Sequence, residues 1–489
     1  MLEGIERAEK KLTQRFSKVL EVNEELDRTL VSFQANKSEN GHRWCKYKEG
    51  FSAALIRYII QNVELKKEPI IDPFAGSGTT LFALSEMGIE TVGMELLPNS
   101  AEIIETRKII AESDRCKVAS QLRDFGKKRV WMKAGKVKKY NHLRITSGAF
   151  PVETERQLCR YLYEVGTIGD SVVSRILRFA AMCVLESISY TRKDGQYLRW
   201  DSRSGRRAGG RVFDKGRILE FTDAITDKIE DIASDISSDG MLFDAWCSDS
   251  KRGKITLLKG SSLEILPTLS TNSFGGLITS PPYCNRYDYT RTYALELAML
   301  GTDEEGIRDL RQKMLSCTVE NREKQDLKSF SRRSNFAKAI DAFEKQELLR
   351  LVVDYLERCK AEGTINNTGI PRMVKNYFLE LAIVIFECAR ILRPGAPFVM
   401  VNDNVRYQGA HIPVDLVLSD IAEKAGMEVE TIWVLPRGKG NSSQQMAAHG
   451  RKEIRKCVYV WRSMSRRAKK RDLQAVRGPS SLPQMSGCP

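Results

Sequence analysis

Residues 70–80 read Ile-Ile-Asp-Pro-Phe-Ala-Gly-Ser-Gly-Thr-Thr. This run predicts a buried strand, a sharp turn and a helix. Apolar residues that end in an acid are followed by two glycines, and a helical pattern comes next. The next strand reads Thr91-Val-Gly-Met-Glu95. Strand, glycine turn, helix and strand in this order begin a doubly wound α/β domain, in which ligands bind at the carboxyl ends of the strands.

The glycine turn has features of a nucleotide-binding loop. Gly76 and Gly78 let the backbone turn sharply and approach a ligand closely. No Gly-Lys-Ser/Thr follows, which excludes a Walker A loop, and Leu81 stands where the third glycine of G-x-G-x-x-G belongs. Glu95 ends the second strand, where an acid can accept hydrogen bonds from both ribose hydroxyls of an adenosine.

The composition favours a polyanionic partner. In the 489 residues, 78 Lys and Arg outnumber 63 Asp and Glu, for a formal charge of +15, so nucleic acid ranks ahead of a membrane surface. No stretch is apolar enough to span a bilayer, and the first residues are too charged for a secretory signal, so we expect an intracellular protein. The 11 cysteines form no C-x-x-C pair and only 4 histidines occur, so we expect reduced thiols and no metal site.

The α/β pattern is interrupted twice, so the fold class we expect is α/β, a doubly wound Rossmann-like sheet with two largely helical or irregular insertions. An amphipathic N-terminal helix either caps this domain or mediates dimers. The expected segments are an N-terminal helical extension at 1–40, a first half of the α/β domain at 41–115, a basic insertion at 116–250, further strands at 251–300, a second helical insertion at 301–368, the rest of the α/β domain at 369–462 and a basic, disordered tail at 463–489.

A second motif, Ser280-Pro-Pro-Tyr283, directly follows a predicted buried strand. Proline has no backbone N–H and stops a strand ladder, so this strand end is rigid and poor in hydrogen-bond donors. Such a tip at the carboxyl end of a parallel strand predicts a ligand site.

Both motifs resemble those of the S-adenosylmethionine-dependent amino-methyltransferases that act on DNA bases. The stretch 72–80 resembles the cofactor loop of that family, and 47–56 resembles the segment against the methionine part of the cofactor. The resemblance implies a Rossmann-like methyltransferase sheet with S-adenosyl-L-methionine as cofactor. The cofactor-binding residues that it implies are Tyr47, Phe51, Ser52, Asp72, Pro73, Phe74, Ala75, Gly76, Ser77, Gly78, Thr79, Thr80, Glu95, Ser261 and Ser262.

Residues 280–283 resemble the catalytic motif (Asp/Asn/Ser)-Pro-Pro-(Tyr/Phe/Trp) of the same family. The amine of a base is a poor nucleophile because its lone pair is delocalised into the ring. The resemblance implies that Ser280 Oγ and the Pro281 carbonyl accept the two amine hydrogens, which frees that lone pair. Pro282 would stiffen the backbone, and Tyr283 would stack on a base swung out of the duplex. Serine at the first position favours cytosine N4, and adenine N6 stays open.

One position departs from the family pattern, and two regions are candidates for recognising the target sequence. The strand before the catalytic one commonly ends Gly-Asp, whereas here Gly260-Ser-Ser262 follows it, so Ser261 would meet the cofactor's adenine amine without a charge. The basic, aromatic loop 190–207 makes 116–250 the first candidate for reading DNA, with 301–360 as its rival. The candidate nucleic-acid contacts are Asn285, Arg286, Tyr287, Arg291, Arg192, Lys193 and Arg199.

These patterns predict a DNA methyltransferase that flips a base and modifies cytosine N4 in a specific duplex sequence. Its partners would be double-stranded DNA and a restriction endonuclease or another phage-defence protein, in the cytoplasm or on the nucleoid of a prokaryote. An adenine-N6 DNA methyltransferase, an RNA methyltransferase and a protein-glutamine methyltransferase are the alternative enzymes. A catalytically silent nucleic-acid-binding module that kept the fold is the alternative from a different class.

Overall fold

The computed structural model describes residues 1–66, 68–194, 197–206, 212–237, 252–325, 327, 335–436, 439–440 and 453–464. The end of the first expected insertion, at 238–250, and nearly all of the expected tail lie outside these residues. The described helices are α1 (Leu2–Arg15), α2 (Ala53–Asn62), α3 (Thr79–Glu86), α4 (Pro98–Glu112), α5 (Arg115–Lys128), α6 (Val152–Gly166), α7 (Ser171–Ile188), α8 (Phe221–Ser237), α9 (Ser262–Ile265), α10 (Tyr289–Thr292), α11 (Ala294–Met299), α12 (Glu304–Lys313), α13 (Asn335–Glu344), α14 (Glu347–Ala361), α15 (Ile370–Ile391) and α16 (Val414–Lys424).

One eight-stranded sheet forms the centre of the molecule, in the order β1-β11-β14-β8-β7-β2-β3-β6. Strand β14 is antiparallel to both of its neighbours, and every other adjacent pair in this sheet is parallel. The described strands are β1 (Leu20–Val22), β2 (Ile70–Asp72), β3 (Thr91–Glu95), β4 (Thr191–Asp194), β5 (Tyr197–Trp200), β6 (Ile255–Lys259), β7 (Gly276–Thr279), β8 (Pro397–Asp403), β9 (Val405–Tyr407), β10 (Ala410–Ile412), β11 (Met427–Val434), β12 (Lys439–Gly440), β13 (Glu453–Ile454) and β14 (Lys456–Ser463).

The strand order reverses between β2 and β7, which are hydrogen-bonded neighbours. From β2 the sheet grows outward through β3 and β6, whereas from β7 it grows through β8 in the opposite direction. Such a reversal opens a crevice at the carboxyl ends of the two central strands. The glycine turn follows β2 and the proline pair follows β7, so the crevice lies between the two motifs. The expected doubly wound α/β fold is confirmed.

The two expected insertions are largely helical. The first contains α5 to α8 and the antiparallel β4–β5 hairpin, and Leu122, Leu158, Phe179 and Ile229 lie in its apolar core. The second contains α12 to α14, of which α14 packs against α1 and α15. Among the helices that the structure describes, not one has the length and apolar character of a membrane span.

The N-terminal helix is shorter than the expected 1–40 extension. Helix α1 ends at Arg15, and residues 20–22 pair in parallel with β11 at the edge of the main sheet. Ile5, Ala8 and Leu12 are buried in the core of the same chain, so the face expected for capping or dimerisation is covered by the fold itself. The amphipathic pattern suggested a longer helical segment, because a local pattern does not reveal that residues 20–22 have a strand partner within 427–434.

Candidate active site

A cavity lies at the carboxyl ends of β2, β3 and β7, and we refer to it as the switch-point cavity. Most of the residues expected at the cofactor line it, whereas Ser52, Gly78 and Thr80 do not. The expected residues that do line it are Tyr47, Phe51, Asp72, Pro73, Phe74, Ala75, Gly76, Ser77, Thr79, Glu95, Ser261 and Ser262, together with Ser280 and Pro282 from the proline motif.

Two of the three residues away from the cavity, Gly78 and Ser52, shape the backbone where a helix begins. Gly78 has a φ of +80°, a left-handed conformation that favours glycine, and it directly precedes α3. Ser52 caps α2, since its Oγ accepts a hydrogen bond from the Leu55 N–H at 3.1 Å. These two residues therefore contribute to the site through the backbone that they shape.

Close packing of α3 on β3 explains why the dinucleotide pattern is incomplete. Leu81 occupies the place of the third glycine, and its side chain lies against Gly93 of β3. A Cβ at Gly93 would lie 2.5 Å from Leu81 Cδ1, which real side chains do not tolerate. The glycine that permits close helix–strand contact is thus on the strand here, and not on the helix.

Glu95 is fixed at the wall of the switch-point cavity by two backbone donors. Its Oε2 accepts a hydrogen bond from the Gly76 N–H at 2.8 Å, and its Oε1 accepts one from the Leu97 N–H at 2.7 Å. Burial raises the pKa of Glu95 to about 8, although both N–H donors act in the opposite direction. Each carboxylate oxygen keeps a lone pair for a further donor, so the group can accept two hydroxyls of a ligand.

Asp72 joins the two motifs. Its Oδ1 accepts hydrogen bonds from Thr279 Oγ1 at 2.6 Å and from the Phe74 N–H at 3.0 Å. Burial raises the pKa of Asp72 to about 6, against the effect of these donors. Because Thr279 directly precedes Ser280, this contact sets the proline motif relative to the glycine turn.

Ser280 and Tyr283 connect the switch-point cavity to a second cavity. The Ser280 hydroxyl donates a hydrogen bond to Tyr283 Oη at 3.1 Å. Ser280 lines the switch-point cavity, whereas the buried Tyr283 lines the second one, which we refer to as the Tyr283 cavity. Lys456 Nζ lies over the Tyr283 ring, 5.7 Å from its centroid.

Tyr47, Glu49 and Gly50 line both cavities and therefore form the wall between them. The Tyr47 ring is stacked on Tyr293 at 5.5 Å, and its hydroxyl lies 3.3 Å from Ser100 Oγ. Burial raises the pKa of Tyr47, so this hydroxyl stays protonated. Tyr47 of the 47–56 segment thus lies beside the glycine turn, since a Cβ at Gly76 would lie 3.1 Å from its hydroxyl.

Several lining residues carry no motif that marks them in the sequence. Three of them belong to the second insertion: Lys313 ends α12, and Met314 and Leu315 directly follow it. No local pattern predicts that an insertion returns to the cavity, because the return depends on tertiary packing. The lining residues that the sequence analysis did not name individually as cofactor contacts are Glu49, Gly50, Met94, Leu96, Leu97, Gly260, Leu263, Tyr289, Lys313, Met314 and Leu315.

The serine pair after β6 is tied to both sides of the switch-point cavity. The Ser261 hydroxyl donates to the Lys313 carbonyl at 2.8 Å, and the Ser262 hydroxyl donates to the Pro73 carbonyl. The proton of Ser261 is engaged in this way, so its oxygen can act as an acceptor for an amine. The position that commonly holds an acid in the family is thus a neutral acceptor held by the second insertion.

The expected nucleic-acid contacts in the first insertion differ in exposure. Arg192 is exposed on β4. Lys193 is buried, its Nζ lies 2.5 Å from Glu296 Oε1, and it sits over the Tyr293 ring at 4.7 Å. The Arg199 guanidinium lies over the Phe213 ring at 4.0 Å. Of these three, Arg192 is exposed, Arg199 is half-buried and Lys193 is buried in an ion pair.

The expected contacts after the proline motif form a compact turn. Asn285 Oδ1 accepts the Tyr287 N–H at 3.1 Å, and Arg286 has a φ of +67°. Arg291 pairs with Asp288 at 3.3 Å and with Glu320 at 3.0 Å. Tyr287 is buried, with its ring centroid 4.6 Å from that of Tyr289. This turn lies between β7 and the second insertion.

Fold and site place the chain among the doubly wound α/β proteins whose ligand site lies at the switch point of the sheet. A family model described as DNA methylase matches residues 5–106. The Type II methyltransferase M.AvaI of Nostoc sp. is 52% identical over 462 residues, which cover 94% of this chain and 94% of that protein. M.BsoBI of Geobacillus stearothermophilus, also a Type II methyltransferase, is 39% identical over 472 residues, 92% of this chain and 91% of that protein. No solved structure matches the chain significantly.

The chain therefore belongs to the DNA amino-methyltransferase family, and its full-length relatives are Type II methyltransferases. The resemblance seen in the two motifs is confirmed at the level of the family.

Proposed function

We propose that this enzyme transfers a methyl group from S-adenosyl-L-methionine to N4 of cytosine, at a specific sequence in duplex DNA and on a base swung out of the helix. One observation carries the proposal. Ser280 lines the switch-point cavity, Tyr283 lines the adjoining Tyr283 cavity, and the two side chains are hydrogen-bonded to each other. The switch-point cavity would hold the cofactor, and the Tyr283 cavity would hold the target base.

The hydrogen-bond acceptors and the apolar walls of the switch-point cavity support S-adenosyl-L-methionine as its ligand. When bound, this cofactor supplies an activated methyl group. Glu95 would accept hydrogen bonds from the ribose hydroxyls, and Ser261 Oγ would accept one from the adenine amine. Phe74, Leu97 and Leu315 supply apolar surface for the adenine ring.

The Ser280 hydroxyl is prepared to act as an acceptor. Because its own proton is directed to Tyr283 Oη, only its lone pairs are available to the hydrogens of an amine. A hydrogen bond donated by a hydroxyl also strengthens the one that it accepts. Together with the Pro281 carbonyl, Ser280 would hold the amine so that its nitrogen lone pair points away from the base plane.

Serine at position 280 supports cytosine N4 over adenine N6. In the family that the motifs resemble, this position commonly holds serine in cytosine enzymes and aspartate in adenine enzymes. A restriction endonuclease that cleaves the same sequence is the partner that we propose, since the full-length relatives are Type II methyltransferases.

Nucleoside analysis tests the proposed function. The chain is expressed in a host that lacks DNA methylation, and the genomic DNA is digested and analysed by mass spectrometry. We expect N4-methylcytosine in DNA from cells with the wild-type enzyme and none with Ser280→Ala. N6-methyladenine in its place would overturn the base assignment, and unmodified DNA despite folded wild-type protein would overturn the activity.

A further inference from the structure

We propose that the residues around the Tyr283 cavity form a binding surface for DNA phosphates, made chiefly by the N-terminal segment 23–50, which lies outside both insertions. We refer to this surface as the basic rim. It rests on the proposed function, because it assumes that the target base enters the Tyr283 cavity. Its members are Arg28, Lys37, Lys46, Lys48 and Lys456.

The segment 23–50 lies at the carboxyl edge of the main sheet. It leaves β1, where Val22 is in register with Val434, and the Asn23 N–H still donates to the Val434 carbonyl at 2.9 Å. Buried Asn36 then anchors it, since its Oδ1 accepts the Ala53 N–H at 3.0 Å. The segment is thus anchored at its start and again at Asn36, so its backbone carries the basic side chains to the cavity.

The lining of the Tyr283 cavity has an excess of positive charge. Five cationic side chains and two acids, Glu49 and Asp403, line it, and Lys456 lies 3.5 Å from Asp403. Lys46 also pairs with Glu186, which lies outside the lining, at 3.4 Å. Arg28 and Lys37 are exposed, and neither forms a salt bridge within the described part of the chain. An excess of this kind attracts a polyanion.

Lys48 shows that the cations crowd one another. It is half-buried, and burial together with the neighbouring Lys46 lowers the pKa of its ammonium group. Glu186 and Glu49 act in the opposite direction, and Arg192 adds a smaller lowering. Its backbone is fixed, because the Lys48 N–H donates to Tyr293 Oη at 2.8 Å. A phosphate beside Lys48 would relieve this repulsion. Arg192, the exposed cation of the first insertion, extends the same positive surface.

The arrangement fits a nucleic-acid backbone better than a single small anion. The cations come from two distant parts of the chain and surround a cavity that contains an aromatic ring. An extruded nucleotide stays attached to phosphates on both sides, so the cavity that holds its base needs cations at its rim. Contacts of this type position the DNA and carry no sequence information.

Salt-dependent binding of a fluorescein-labelled duplex tests the basic rim. The variant is Arg28→Ala/Lys37→Ala, and the matched control is Lys18→Ala/Lys66→Ala. Both control residues are exposed, and they precede the parallel strands β1 and β2, which puts them at the opposite edge of the sheet. Affinity is measured by fluorescence anisotropy at several salt concentrations, and the thermal midpoint checks that each variant is folded.

We expect the rim variant to bind DNA roughly 10-fold more weakly and to lose about 2 from the slope of log K against log salt, one for each lost phosphate contact. KM for DNA should rise, while kcat at saturating DNA and the affinity for S-adenosyl-L-methionine stay at their wild-type values. A slope equal to that of the control would overturn the proposal. Binding is measured without methyl transfer, so a wrong base assignment leaves this test intact and is detected separately by nucleoside analysis.

Discussion

The hydroxyl of Ser280 donates a hydrogen bond to Tyr283 Oη across 3.1 Å, and this contact connects the switch-point cavity to the Tyr283 cavity. In the proposed mechanism Tyr283 would act on the amine acceptor and would also offer a ring to the target base. Its hydroxyl fixes where the Ser280 proton points. The two roles can be separated, because phenylalanine keeps the ring and removes the hydroxyl.

We predict that Tyr283→Phe lowers kcat about 10-fold, which corresponds to the loss of one hydrogen bond of about 1.4 kcal/mol. KM for DNA and the affinity for S-adenosyl-L-methionine should change little, since the ring remains. A double-mutant cycle with Ser280→Ala measures the coupling. The Ser280→Ala/Tyr283→Phe variant should be no slower than Ser280→Ala alone. If instead the loss of kcat in the double variant equals the product of the two single losses, the Tyr283 hydroxyl acts independently of Ser280.

Glu95 should make cofactor binding depend on pH. Ribose hydroxyls that donate to Glu95 favour its ionised form. In the cofactor-free protein the pKa of Glu95 is about 8, so below this pH the carboxyl must lose a proton when the cofactor binds. The affinity for S-adenosyl-L-methionine should therefore increase as the pH rises towards 8 and level off above it. Glu95→Gln should bind roughly 10- to 100-fold more weakly, by the 1.5 to 3 kcal/mol of charged hydrogen bonds, and should lose this pH dependence. Calorimetry at several pH values tests this, and an equal pH dependence in both proteins would contradict it.

The same carboxyl group should affect the stability of the cofactor-free protein. Burial raises the pKa of Glu95 from its ordinary value of 4.5 to about 8, so between these values the folded state holds a proton that the unfolded chain has released. The free energy of unfolding therefore falls as the pH rises through this window, by up to about 1.4 kcal/mol per pH unit. Denaturant titrations between pH 6 and pH 8 should show a smaller fall for Glu95→Gln. A wild-type stability that rises relative to the variant would refute the burial of a protonated Glu95.

Gly93 should be intolerant of a side chain. In Gly93→Ala the new Cβ would lie 2.5 Å from Leu81 Cδ1, so we expect a loss of about 1 to 3 kcal/mol in the free energy of unfolding. Leu81→Ala alone should also destabilise the protein, because it leaves a cavity between α3 and β3. The double variant Gly93→Ala/Leu81→Ala should be more stable than the sum of the two losses predicts. Additive losses in chemical denaturation would show that the two side chains do not compete for the same space.

The central strands and both motifs were predictable because they depend on residues close together in the chain. The run from Ile70 to Thr80 determines a strand, a turn and a helix by local preferences, and proline ends β7 by its lack of a donor. These elements also placed Glu95 and Ser280 at one edge of the sheet, since parallel strands share their carboxyl edge.

The remaining parts of the site depend on contacts between distant segments. Residues 20–22 become an edge strand only because β11, about 400 residues later, offers a parallel partner. Lys313 to Leu315 reach the switch-point cavity because the second insertion returns to the end of β6. There the Ser261 hydroxyl donates a hydrogen bond to the Lys313 carbonyl. Lys193 looked like a surface cation, and only the fold brings Glu296 beside it. Local patterns contain none of these pairings.

The most direct test of the Ser280 acceptor is single-turnover methyl transfer to duplex DNA by wild-type enzyme and Ser280→Ala, with cofactor affinity measured by calorimetry on the same samples. Ser280 touches the reacting amine in the proposed geometry, whereas Glu95 and the glycine turn hold the cofactor. We predict that Ser280→Ala slows transfer at least about 100-fold, as for loss of a group that stabilises the transition state, and leaves the cofactor affinity within about twofold of wild type. Transfer at the wild-type rate, or an equal loss of rate and cofactor affinity, would contradict the acceptor role of Ser280.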